Sequence, residues 1–136
     1  MPESNQPEDS QIVLYQTEDG RTRLDVRFQN RELWLSLNQI AELFQRDKSV
    51  ISRHLKNVFE EGELELGATV AKSATVQTEG ARTVQREIEY YALPVIIAVG
   101  YRVKSPRGTQ FRQWATARLS EYLVKGFVLD DEIGGA

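Results

Sequence analysis

The sequence predicts an α+β fold: a winged helix-turn-helix preceded by an N-terminal β-hairpin within a three-stranded piece and followed by two C-terminal helices. Three observations predict it. Residues 11–36 alternate apolar and polar side chains around Glu18-Asp19-Gly20. Residues 36–61 change to helical spacing in two short runs. Residues 68–92 return to alternation before the helical period resumes at Pro94. Strands grouped apart from helices are the mark of an α+β domain.

In the first block "IVLYQTEDGRTRLDVRF" reads as two strands joined by an Asp-Gly turn, which tolerates positive φ. Leu24, Val26 and Phe28 alternate with Asp25 and Arg27, and "ELWLS" follows a polar turn at Gln29-Asn30 as a third strand. Ser36 and Gln39 then have the spacing of a capping box, with Ile40, Ala41, Leu43 and Phe44 as the buried stripe of a short helix. After Gln45-Arg46-Asp47 a second helix is predicted from Lys48 to about Glu61, capped by Asp47 and stopped by Gly62. Its apolar side is Val50, Ile51, Leu55, Val58 and Phe59.

Two further strands follow, turning at Thr78-Glu79-Gly80, with Val84, Ile88 and Tyr90 on one face. Pro94 opens a helix to about Val103, and Ser105-Pro106 opens another. In that last helix Phe111, Trp114, Ala115, Leu119, Tyr122 and Leu123 share a face, and Gly126 is expected to end it. The polar segment 1–10 is expected to be a disordered lead, residues 11–132 one domain and residues 133–136 a short flexible tail.

Composition narrows the function. The chain has no cysteine, which rules out disulfides and thiolate metal sites and suits a cytoplasmic protein. Its longest apolar run, "YALPVIIAVGY", is too short to span a bilayer. The net charge is −3, yet Tyr101–Phe127 holds six basic residues against Glu121 alone. A local basic face on an acidic chain is compatible with nucleic acid, because affinity follows the field near the phosphates.

The short helix, the turn and the second helix have the layout of a helix-turn-helix, with Ala41 small where the helices cross and Ile51 plugging the crossing. Gln45 stands where glycine is common in the turn, and His54 lies near a position that is usually apolar. The second helix leaves Ser49, Ser52, Arg53 and Lys56 on one polar, cationic stripe, with Lys48 at its start. Such a helix fits the major groove of B-DNA, where short donors and the planar Arg fork match base edges and phosphates. The later hairpin, carrying Lys72, Arg82 and Arg86, would form the wing along the phosphate backbone. A solvated helix in a small α+β domain gives the same periodicity.

Within the basic stretch, Phe111, Trp114 and Tyr122 read as core rather than as base-stacking platforms. Arg107, Arg118 and Lys125 fall on one side of the helix, with Arg112 on its polar flank. These cations could meet phosphates, or the acidic run Glu60, Glu61, Glu63, Glu65. That run reads as a solvated or paired helix end rather than a metal site. The one histidine, His54, assembles no nucleophile triad, no phosphate-cradling glycine loop occurs, and Glu87 and Glu89 lack the lysine and further carboxylates of a metal nuclease. The expectation is a protein without catalytic residues, cofactor or metal.

The segment "GYRVKSPRGTQFRQWATARLSEYLVKGFVLDDE", residues 100–132, closely resembles the signature of the virulence RhuM family, with its Gly-Tyr-Arg-Val, Arg-Gly-Thr-x-Phe-Arg-x-Trp-Ala and Lys-Gly-Phe blocks in order. The blocks "IVLYQTEDGRTRLDVRF", "LWLSLNQIAELFQRDKSVISRHLKNVFEEGEL" and "REIEYYALPVIIAVGYRV" are also similar, so the resemblance spans residues 11–132. Family members generally continue further, so this chain resembles their N-terminal domain.

The resemblance implies a DNA-binding protein of mobile elements, prophages or restriction loci, with a Fic-type or restriction-system protein as a possible partner. It carries no established catalytic residue to this chain. The resulting expectation is a cytoplasmic, nucleoid-associated homodimer that binds double-stranded DNA as a regulator or targeting module. Lys48, Ser49, Ser52, Arg53, Lys56, Lys72, Arg82, Arg86, Arg107 and Arg112 would line its interface. The alternative is an antitoxin- or adaptor-like protein-interaction module that does not touch DNA.

Overall fold

The computed structural model describes the backbone of residues 11–135 and, within them, every side chain except those of 66, 68, 73–77 and 125–135. The expected disordered lead, 1–10, lies outside the described residues. Strand β1 (Gln11–Gln16) pairs antiparallel with β2 (Arg23–Gln29), setting Val13 opposite Val26 and Tyr15 opposite Leu24. Asp19 organises the connecting turn: its carboxylate accepts from the Thr17 hydroxyl at 2.6 Å and from the Arg21 N–H at 2.9 Å, and Gly20 takes φ +73°. Strand β3 (Glu32–Ser36) returns through Asn30 and Arg31, both left-handed at φ 56° and 64°. This is the pattern of a primed two-residue turn, whose twist suits a hairpin.

Ser36 ends β3 and caps α1 (Leu37–Phe44). Its Oγ accepts from the Gln39 N–H, and Gln39 Oε1 accepts from the Ser36 N–H, so the predicted capping box is complete. Gln45 closes α1 in the left-handed region at φ 54°, ψ 49°, the conformation for which glycine is usually selected. Helix α2 (Lys48–Glu60) starts at Asp47, whose carboxylate accepts from the Ser49 N–H at 3.0 Å, and the chain turns away at Gly62, φ +74°. A one-turn helix, α3 (Leu66–Thr69), was not anticipated; its Thr69 hydroxyl donates to the Glu65 carbonyl.

Strands β4 (Val70–Glu79) and β5 (Arg82–Ala92) pair from Val70–Tyr91 to Glu79–Arg82 around Gly80-Ala81. Helix α4 (Leu93–Val103) has proline in its first turn, and α5 (Pro106–Gly135) follows after a Ser105 cap, whose Oγ accepts from the Arg107 N–H at 3.2 Å. Helix α5 continues past Gly126, where the sequence placed its end, and takes in residues 133–135, expected as tail. A glycine inside a helix costs about 1 kcal/mol relative to alanine but does not by itself stop it.

The protein is thus mixed α and β, with a five-stranded antiparallel sheet in the order β1-β2-β3-β5-β4. Leu24, Val26, Phe28, Leu33 and Leu35 point from the sheet into a core completed by Ile40, Leu43, Phe44, Ile51, Val95, Ile96, Val99, Phe111 and Ala115. Phe44 is gripped by two glycines: a Cβ on Gly100 would come within 3.1 Å of its ring and one on Gly108 within 3.4 Å. The opposite sheet face carries the row Ile12, Arg27, Trp34, Ala92 across four strands. There Trp34 Nε1 donates to the Gln29 carbonyl, and the Arg27 guanidinium lies 4.9 Å from the Tyr90 ring centre.

Strand β3 reaches β5 only at Tyr90, Tyr91 and Ala92. The rest of β4–β5 is a two-stranded ribbon whose side chains from Arg82 to Glu89 are exposed or half-buried.

Candidate functional site

Helix α2 is fixed from one side. Ile51, Leu55 and Val58 are buried, at the spacing of three and four that defines a helix face. Lys48, Ser49, Ser52, Arg53 and Lys56 lie on its exposed side. Their situations differ. Ser49 belongs to the cap, because its N–H and its hydroxyl both donate to Asp47. These bonds hold the Asp47 carboxyl below its ordinary range, with the hydroxyl as the larger cause. Lys56 faces Glu60 one turn on, at 3.8 Å. Among the described residues, Lys48 and Arg53 enter no ion pair.

The ribbon carries the next group. Lys72 stands 3.9 Å from Glu87 across the two strands. Arg86 takes the Glu79 carboxylate in a fork, Nη2 to Oε1 at 2.8 Å, so its charge is largely answered within the ribbon. Arg82, at the tip, is exposed.

The two arginines placed on the last helix separate. Arg112 is exposed. Arg107 turns inward: Nη1 donates to the Thr22 hydroxyl and the Leu43 carbonyl, both at 2.9 Å, and Nη2 lies 3.7 Å from Asp19. Its side chain is only 19% exposed. Arg107 therefore joins α5 to the end of α1 and to the first turn, an assignment that sequence spacing could not distinguish from a surface cation. A residue not singled out in the sequence, Arg46, does related work from outside: Nη1 donates to the Phe44 carbonyl and Nη2 to the Val103 carbonyl, joining the ends of α1 and α4.

The acidic run is drawn together by an arginine of the basic stretch. Arg102 Nη2 donates to Glu61 at 2.8 Å and Glu63 at 2.9 Å. The pairing holds the Glu61 carboxyl below its ordinary range. Near it, His54 Nδ1 and Arg102 Nε are buried without a hydrogen-bond partner. Burial, followed by the charges of Arg53 and Arg102, lowers the His54 pKa, so the imidazole is neutral at pH 7. Phe111, Trp114 and Tyr122 go to the core side, where Tyr15 meets Phe111 edge-on at 5.1 Å and Phe28 meets Tyr122 at 5.6 Å.

No cluster of His, Cys, Asp and Glu suited to a metal occurs among the described residues, and no helix among them is long and apolar enough to cross a membrane. No curated protein and no solved structure matches the chain. A family model does match, over residues 68–133. The matched segment takes in β4, β5, α4 and most of α5, while β1 through α2 lie outside it. By that match residues 68–133 are similar to the virulence protein RhuM family, in keeping with the resemblance read from residues 100–132.

Proposed function

We propose that the protein is a DNA-binding domain of winged helix-turn-helix type, with α2 as the reading helix and the β4–β5 ribbon as the wing. The observation that carries this reading is the division of α2. Its inner side is locked by Ile51, Leu55 and Val58, while Lys48, Ser52, Arg53 and Lys56 stand outward, Lys48 and Arg53 entering no ion pair among the described residues. A rigid helix with outward cations and short donors meets the requirements of a major-groove reader.

On this reading Arg53 and Lys48 supply charge or base contacts and Lys56 exchanges Glu60 for phosphate. Arg82 and Arg112 add backbone contacts, and Lys72 and Arg86 contribute less because Glu87 and Glu79 already answer them. Arg107 is assigned to the framework. The role is that of a regulator or targeting module without chemistry of its own.

Fluorescence anisotropy with random and genomic duplexes tests it. Wild-type protein should bind with an affinity that falls steeply as salt rises, and Arg53→Ala with Lys56→Ala should weaken binding by at least about tenfold, or 1.4 kcal/mol. Equal binding by the two proteins would overturn the reading. The carboxylates that pair with Lys56, Lys72 and Arg86 favour the rival, a protein-docking module, which predicts no duplex binding by either protein.

A further inference from the structure

The outer edge of β1 is unusual in what it lacks. Proteins guard sheet edges with charges, proline, bulges or a covering element, because unpaired strand groups recruit other strands. Strand β1, Gln-Ile-Val-Leu-Tyr-Gln, contains neither charge nor proline, pairs with β2 through all six residues, and forms the end of the sheet. On its outward face Ile12 and Leu14 are 54% and 46% exposed.

Helix α5 runs beside this edge in the opposite direction. Gln110, Gln113 and Trp114 flank Tyr15 and Gln16 around a groove of about 340 Å³. Arg118, Glu121 and Tyr122 flank Gln11 and Val13 around another of about 230 Å³.

We infer that β1 is the seam of a two-fold dimer, in which it pairs antiparallel with β1 of a second copy about an axis at Val13. The choice of a second copy follows from self-complementarity. Residues opposite one another in an antiparallel pair point to the same face, so centring on Val13 places Ile12 against the partner's Leu14 and Leu14 against the partner's Ile12. Both exposed apolar residues are thereby covered in one register.

Charge agrees with this axis. Arg118 and Glu121, paired at 2.9 Å, line the groove beside Val13, so the two-fold brings opposite charges from each chain toward the other. A six-residue edge alone falls short of the roughly 1,200–2,000 Å² buried in stable interfaces. The α5 flank adds area, and the association belongs in the micromolar range. The inference is independent of the DNA reading.

Sedimentation velocity from about 1 to 100 μM, without DNA, provides the first test. Wild type should shift from monomer to dimer, and Ile12→Lys with Leu14→Lys should remain monomeric. Both positions are exposed, so the variant should keep the wild-type circular dichroism and melting behaviour.

The native chain has no cysteine, which allows the register to be tested directly. Ile12→Cys and Leu14→Cys proteins, oxidised as a mixture, should give a cross-linked heterodimer. Either alone should give little, because its thiols lie two residues out of register, about 7 Å along the strand. A wild-type monomer at every concentration overturns the seam and leaves the edge to another segment or partner. A dimer that persists in the lysine variant, or cross-linking without the stated register, overturns it as well.

Discussion

Arg107 Nη1 donates to the carbonyl oxygen of Leu43 at 2.9 Å, linking the first turn of α5 to the last turn of α1. That carbonyl is among those a helix leaves unpaired at its C-terminus, where a cation is also favoured by the helix dipole. Arg107→Ala should therefore destabilise the protein by about 1.5–3 kcal/mol, the range for hydrogen bonds to a charged group. Urea unfolding should show it, with Arg107→Lys recovering only part because one ammonium cannot reproduce the fork.

The packing of Phe44 predicts opposite outcomes for two glycines in helices. Alanine normally stabilises a helix interior by about 1 kcal/mol over glycine. At Gly100 the new methyl would meet the Phe44 ring, which is 1% exposed and has no room to retreat. Gly100→Ala should lower stability by about 1–3 kcal/mol through overpacking. Gly67→Ala, with nothing within 4 Å of the added carbon, should be neutral or stabilising. Paired thermal melts check both.

Arg31 occupies the second left-handed position of the β2–β3 turn at φ 64°. Glycine has no side chain to strain there, and Asn-Gly is the preferred pair for such a turn. Arg31→Gly should raise stability by about 0.5–1 kcal/mol, since the left-handed region costs a side-chain-bearing residue roughly 1–2 kcal/mol and glycine's greater unfolded-state freedom returns part of it. The gain should appear in the urea midpoint without a change in slope.

His54 gives a pH dependence with a defined sign. Its folded pKa lies below the ordinary 6.5, so the folded protein binds the proton less readily than the unfolded chain. The stability associated with neutral His54 is complete above pH 6.5 and is lost as pH falls through that value toward the lowered folded pKa. His54→Leu should flatten this part of the stability profile, measured by urea unfolding at constant salt between about pH 7.5 and 5, roughly the window in which histidine titrates. A slope unchanged by the substitution would move the effect to another group.

The helix pair was legible because its determinants are local. Ser36 and Gln39 cap α1, Asp47 caps α2, and Ile51, Leu55 and Val58 repeat at helical spacing, so neighbours in sequence specify them. What escaped sequence reading depends on distant partners. Arg107 reads as a surface cation until Thr22 and Leu43 are brought to it. Gly100 has no sequence mark of contact with Phe44, and β5 could be placed beside β3 only once the strands were paired. Gly126 misled for a different reason: a glycine stops a helix where it takes the left-handed conformation itself, as Gly62 does.

Because β3 grips β5 only at Tyr90–Ala92, the ribbon is anchored like a lever at one end. Its free arm, eight residues of β5 from Arg82 to Glu89, reaches about 26 Å beyond the pivot at a strand rise near 3.3 Å per residue. Ladder bonds keep the two strands of that arm together. A rotation of about ten degrees at Tyr90 would carry Arg82 across about 4–5 Å, at that arm length, while barely moving the core.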